Sequence, residues 1–293
     1  MTRSSNIGGQ AVLEGVMMKN KDTYGVAVRT PEKEIDVKVF HDRASNEVIQ
    51  KIPIIREIDA FVKSLRTGLK TLTYSASFSE EEEKLSEEKE KAMLAGTLVI
   101  SALMAVALFM VAPYLISLLF GKIISSVTLM AVIEGVVRLV IFFAYIFAIS
   151  KVEDIQRVFM YHGAEHKCIN CIEHGYELTV ENVRKSSRLH KRCGTSFLLI
   201  VMIVSVIFFV FIRLESPVIR LVVRLLLIPV IAGVSYEFLK LAGRTQNPVI
   251  EWLSKPGLAL QKFTTREPDD DMIEVGIAAV EAVFDWKAFL NEE

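Results

Sequence analysis

Two histidines one helical turn apart, with a glutamate beside the second, form the segment His162-Gly163-Ala164-Glu165-His166. In a helix, positions i and i+4 share a face, so both imidazoles reach one metal ion. Glu165 is then placed to act as a general base on water held by that ion. The donor set predicts a divalent metal, zinc, as cofactor. The plainer alternative is a pair of hydrogen-bonded core histidines.

The surrounding spacing strengthens the helical reading. Val152, Ile155, Phe159, His162, His166, Ile169 and Glu173 recur at steps of three and four, which is one stripe of a helix. Both histidines therefore lie on an otherwise apolar face and need partners if buried. Glu165 sits about 60° off that stripe and still reaches the same centre.

Two residues do not hold zinc, so a third ligand is required. Glu173 is two turns further along, roughly 10 Å from His166. Cys193, with His190 three residues before it, Glu237 and Glu14 are the other candidates. Gln10 would share a face with Glu14 if that segment were helical. A competing arrangement pairs Cys168 and Cys171 with His190 and Cys193 as a closed structural zinc ribbon, without catalysis. Asp269, Asp270 and Asp271 are suited to Mg²⁺, although helix capping explains them more simply.

The elements that must position these groups belong to a mixed chain. It has 293 residues, 52% hydrophobic and 24% charged, with net charge −1. That composition predicts a membrane part joined to a polar part. The balanced charge gives no footprint for nucleic acid. Three cysteines are too few and odd for a disulfide framework. The first ten residues lack the apolar core of a secretory signal, so the chain is expected to start in the cytoplasm.

Four segments are long and apolar enough to span a bilayer: Ala92–Leu119, Val127–Ser150, Ser196–Arg213 and Val218–Leu239. Pro113 should kink or end the first, and Pro229 frees a carbonyl in the fourth. The loop from Lys151 to Thr195 is rich in lysine and arginine, whereas the opposite side has short turns around Lys122 and Arg213. The positive-inside rule places that loop and both termini in the cytoplasm. Glu134 and Arg224 fall at similar depth and would pair between helices; the sharper alternative is a polar pathway. A straight continuation of the second span would carry the histidines roughly 18 Å beyond the membrane, out of reach of Cys193 and Glu237. Either the helix breaks between Ser150 and Tyr161, or the remaining ligands come from soluble elements.

The expected fold is a mostly α membrane protein, four transmembrane helices with a cytoplasmic α+β cap containing a small β-hairpin. Thr23–Thr30 and Ile35–His41 alternate like hairpin strands. The glycines of Gly8–Gly15 suggest a tight turn. From Pro53, apolar residues such as Ile58, Val62, Leu65 and Leu72 have helical period, flanked by Lys63, Arg66 and Lys70. This predicts a helix on the membrane surface or against the hairpin. Glu80–Lys91 reads as a solvated helix or linker. In the tail, Asn247-Pro248 starts a short helix that Gly257 would end, and a final helix begins at Pro268-Asp269. The chain divides into a cytoplasmic region 1–91, spans at 92–150, a loop 151–195 with the histidine motif, spans at 196–241 and a cytoplasmic tail 242–293.

Four segments together, Gly8–Met18, Tyr161–Lys167, Arg192–Phe197 and Thr264–Pro268, resemble the YqhQ-like family of bacterial membrane proteins. That family is a domain of unknown function labelled a predicted metal-dependent enzyme. The resemblance implies a multi-pass protein of the bacterial inner membrane and favours Cys193 over Cys168 and Cys171 as a motif residue. The pattern also resembles the signature of inverzincin proteases, in which a downstream glutamate completes the zinc site, a position that Glu237 would match. The expected function is metal-assisted hydrolysis of a peptide or lipid-linked substrate. The alternative is a non-enzymatic scaffold or membrane-protein biogenesis factor, binding another membrane protein or complex, with a structural polar cluster or structural zinc.

Overall fold

A computed structural model describes residues 3–42, 53–78, 87–121, 123–212, 216–245 and 247–291. The turn at Lys122, Arg213 and much of the Glu80–Lys91 run lie outside them.

The N-terminal region is a four-stranded antiparallel meander, not a lone hairpin. Its strands are β1 (Gly8–Val12), β2 (Gly15–Asn20), β3 (Thr23–Arg29) and β4 (Ile35–His41), in that order across the sheet. The expected hairpin is β3–β4, with Thr23 opposite His41 and Arg29 opposite Ile35. Residues 8–15 form not a helix but β1 and its turn into β2, Val12 facing Gly15. Glu14 adopts φ +48° there, and its carbonyl accepts the Arg29 N–H at 2.8 Å. A non-glycine residue rarely holds that left-handed backbone.

Helix α1 (Pro53–Ala76) packs on the sheet and on one apolar helix. Its buried face is small and polar, with Thr67, Thr71 and Ser75, while Ile55, Val62, Leu65 and Leu72 are exposed. Ile58, Phe61 and Leu69 of the same stripe are half-buried. Gly68 admits the Gln10 side chain, whose Oε1 would lie 2.7 Å from a Cβ there.

Four helices are long and apolar enough to cross a membrane: Ala92–Leu118, Val127–Ile149, Gly194–Phe211 and Val218–Ala242. The first begins in α2 (Glu87–Val106), passes through a π turn (Ala107–Val111) and ends as α3 (Ala112–Leu118). The widened turn comes directly before Pro113, whose ring would otherwise crowd the carbonyl four residues back. The others are α4 (Val127–Ile149), α7 (Gly194–Phe211) and α8 (Pro217–Arg244), the last continuing through Pro229. Ser126 and Ser216 cap α4 and α8 by accepting from Leu129 and Ile219 N–H.

Glu134 of α4 and Arg224 of α8 pair, Arg224 Nη2 donating to Oε2 at 3.0 Å. Arg138 donates to the same carboxylate at 3.1 Å and to Ser205 Oγ at 3.2 Å. All three charged side chains are buried, and both guanidinium groups lie under 5 Å from the centre of the Phe209 ring.

The remaining helices are α5 (Glu153–Glu173), α6 (Val180–Lys185), α9 (Pro248–Thr264), α10 (Asp270–Glu281) and α11 (Trp286–Asn291). Gly257 does not end α9; it lets the helix touch α7, a Cβ there falling 2.8 Å from Ser196 Oγ. Asp269 precedes α10, which is followed by the further short helix α11. The core of this region lies where α5 and α10 pack on each other and on β1–β3, joining Val16, Met18, Ala27, Ala164, Ile169 and Ile273.

Candidate metal centre

The second apolar helix does break. Ile149 ends α4, and Val152, with extended ψ of 128°, starts α5. This turn brings the histidines back to the ends of the apolar helices. From Tyr161 to Ile172 almost every residue of α5 is buried, so burial is not confined to the predicted stripe. The sheet and α10 cover one side, and residues 186–193 cover another.

Three donors converge. One ring nitrogen from each of His162 and His166 and the Sγ of Cys193 lie within 4.8 Å of one another. His162 Nε2 is 3.2 Å from Cys193 Sγ, and the imidazole centroids are 4.4 Å apart. Cys193 is the N-cap of α7, its Sγ also meeting the Thr195 hydroxyl at 3.1 Å.

The other ring nitrogens fix the tautomers. His162 Nδ1 lies 2.7 Å from the Thr264 carbonyl, and His166 Nδ1 lies 2.7 Å from the Arg188 carbonyl. A carbonyl only accepts, so each Nδ1 carries a hydrogen, and the tautomer this selects has its lone pair on Nε2. That is the arrangement in which a backbone carbonyl orients a metal-binding imidazole.

Neighbouring side chains hold the segment on either side of Arg188 in place. Lys167, buried, donates to the carbonyls of Arg184 at 2.9 Å and Ser186 at 2.8 Å. Asn170 donates to those of Ser187 at 2.7 Å and Leu189 at 3.0 Å. The amide of Gln261 donates to the His190 carbonyl and Ser196 Oγ, both at 2.8 Å, and accepts the His190 N–H at 2.9 Å.

Glu165 reaches the same cluster, its Oε2 3.9 Å from His162 Nε2. Burial pushes its carboxyl up to about 7, while His162 and the Gly9 N–H act in the opposite direction. Gly9 is needed for this approach: a Cβ there would lie 2.8 Å from Glu165 Cγ.

The other sequence candidates lie elsewhere. Glu14 binds Arg157, whose Nε donates at 2.6 Å, and accepts from Tyr161 Oη at 3.3 Å. Glu237 accepts from Arg56 at 2.6 Å. Glu173 accepts from Ser5 N–H and Oγ, both at 2.7 Å, and pairs with Arg192 and, at 3.4 Å, His190. Burial alone would raise the Glu173 carboxyl, but His190, Arg192 and Ser5 hold it down at about 2. Gln10 packs over Gly68, and Glu134 and Arg224 belong to the apolar helices. The ribbon is not assembled. Cys168 lies against Gly276 of α10, and Cys171 Sγ is directed at the Tyr176 and Glu177 carbonyls. Asp270 pairs with Arg184. Sequence reasoning did not identify Gly9, Arg188, Gln261 and Thr264 as parts of the site. Gly9 and Thr264 do fall inside the quoted motif segments.

A family model described as "Protein of unknown function (DUF1385)" matches residues 52–286. The "Uncharacterized protein YqhQ" of Bacillus subtilis (strain 168) is 38% identical over 285 residues, covering 92% of this chain and 89% of that protein. No solved structure matches.

Proposed function

We propose a function for this chain, which belongs to the DUF1385 family of proteins of unknown function, from its own site: a multi-pass protein of the bacterial cytoplasmic membrane carrying a zinc centre on its cytoplasmic side. The four apolar helices support the membrane placement. The lysines and arginines of residues 151–195 support the orientation. Exposed Val249, Trp252 and Leu253 suit α9 to the bilayer surface.

His162, His166 and Cys193 would hold the metal. Ligand bonds of about 2.0–2.3 Å put tetrahedral donors roughly 3.3–3.7 Å apart. A 3.2 Å pair within a cluster closed to 4.8 Å fits that with small adjustments. The observation that carries the reading is the pair of Nδ1–H···O=C bonds, which aim both Nε2 lone pairs inward.

A bound divalent ion would supply Lewis acidity and acidify a water ligand. Glu165, 3.9 Å from His162 Nε2, is the proton-handling group. The reaction class this supports is hydrolysis of a peptide or lipid-linked substrate. The burial of His166 and Glu165, at 1% and 5% exposure, favours a second reading, a structural zinc in a scaffold or biogenesis factor.

Metal analysis of the purified protein tests the first claim. Near-stoichiometric zinc, lost in His162→Ala, His166→Ala and Cys193→Ser, is expected. Substoichiometric metal that these substitutions leave unchanged overturns it. Glu165→Gln separates the two readings: retained zinc with lost hydrolysis supports the enzyme, and retained zinc with unaltered function supports the structural role.

A further inference from the structure

A cavity of about 500 Å³ lies where α4 ends and α9 meets the loops beside the metal centre. Its wall includes Lys151, Arg188, Lys262 and Arg266, with Glu267 as the acid among the lining residues. Glu267 is already engaged, by Lys167 at 2.9 Å and Arg188 at 3.2 Å. Four cations thus face a concave space against one shared carboxylate. A concave wall of one sign concentrates counter-ions of the other.

The guanidinium groups are held in place from behind. Arg188 donates to the Thr265 carbonyl, and Arg266 Nη2 donates to the Ser150 carbonyl at 3.1 Å. Lys151 and Lys262 are exposed, Lys151 Nζ lying 4.9 Å from the Phe147 ring centre. Two held guanidinium groups and two exposed ammonium groups on one wall are donors of the kind that bind a phosphate.

The location adds a second constraint. Ile149 ends an apolar helix, and Ser150 and Lys151 follow it directly into the cavity wall. Phe147 and Phe263, 54% and 49% exposed, also line the wall. Aromatic side chains beside lysine and arginine at the end of a span match the headgroup layer of a bilayer.

We propose that this cavity binds a phosphate group presented by the headgroup of an anionic membrane lipid. The proposal rests on the membrane placement above and not on the zinc. A site for a lipid phosphate beside the metal centre would also define the substrate class as lipid-linked.

Native mass spectrometry of the full chain in neutral detergent, offered equal phosphatidylglycerol and phosphatidylcholine, tests it. Preferential retention of phosphatidylglycerol is expected. The exposed double variant Lys151→Ala/Lys262→Ala should lower that preference on the order of tenfold. Competition by inorganic phosphate at much higher concentration supports phosphate recognition. Inorganic phosphate binding as tightly as the lipid overturns the membrane source. Equal retention of both lipids, or a preference that the double variant leaves unchanged, overturns the proposal. Zinc is measured in the same samples, so a failed lipid test with zinc intact sinks this proposal alone. His162→Ala, lacking zinc, should keep the lipid preference.

Discussion

The Arg266 carbonyl oxygen occupies the space where a side chain on Gly163 would begin: a Cβ there would stand 1.9 Å away. The contact seats the segment that follows Thr264, the last residue of α9, directly on α5, with the Arg266 N–H donating to the Phe159 carbonyl at 2.8 Å. Gly163→Ala should therefore destabilise by roughly 3 kcal/mol or more. In an unconstrained helix the same change would stabilise by about 1 kcal/mol, so the sign is diagnostic. Thermal unfolding in detergent measures it. Zinc content should fall too, because Thr264 orients His162. Gly8→Ala, with nothing within 4 Å, is the control.

Glu134 serves two arginines at once. Glu134→Gln would leave both cations buried without a carboxylate, at a cost of about 3–5 kcal/mol. Adding Arg224→Gln should recover part of the loss, because fewer buried charges then need a partner. A double-mutant cycle on detergent unfolding measures the coupling. Strict additivity would show that the pair does not act as a unit.

Glu173 gives a pH dependence with a defined sign. Its folded carboxyl lies at about 2 against an ordinary 4.5. The stabilisation it supplies is fully present above about pH 4.5 and is lost as pH falls towards 2. The full effect is about 3 kcal/mol. Wild type and Glu173→Gln should differ most near neutral pH and converge at about pH 2 and below. A difference that stays constant with pH would assign the effect to packing.

Chelation should lower the unfolding midpoint of the wild type, and added zinc should restore it in proportion to its logarithmic concentration. His162→Ala should respond to neither. An unchanged wild-type midpoint in excess chelator, with zinc verified as removed, would show that the metal contributes nothing to the fold.

The apolar helices were legible because length and hydropathy are local properties, and the expected ends fall within a few residues of the observed ones. The convergence of His162, His166 and Cys193 was legible in part: the spacing put the histidines together, and the break between Ile149 and Val152 supplied the turn that reach required. β1 and β2 were not legible. Their sequence lacks an alternating pattern, and Val16, Met17 and Met18 are all buried, so both faces of β2 are covered. Glu14 and Glu237 looked like ligands because their arginine partners lie 143 and 181 residues away. No local pattern carries such a pairing. Gly257 carried the signal of a helix end but serves a close approach between α9 and α7.

Gly9 from the first strand touches Glu165, and Thr264 from near the other end of the chain orients His162. The centre therefore depends on contacts between residues far apart in the chain, His162 and Thr264 being 102 positions apart. Its arrangement is incomplete until the chain has been made as far as Thr264, beyond all four apolar helices. On the proposed zinc reading, tight metal capture is a late event of biogenesis, and a chain truncated before Thr264 should bind zinc on the order of 10–100-fold more weakly.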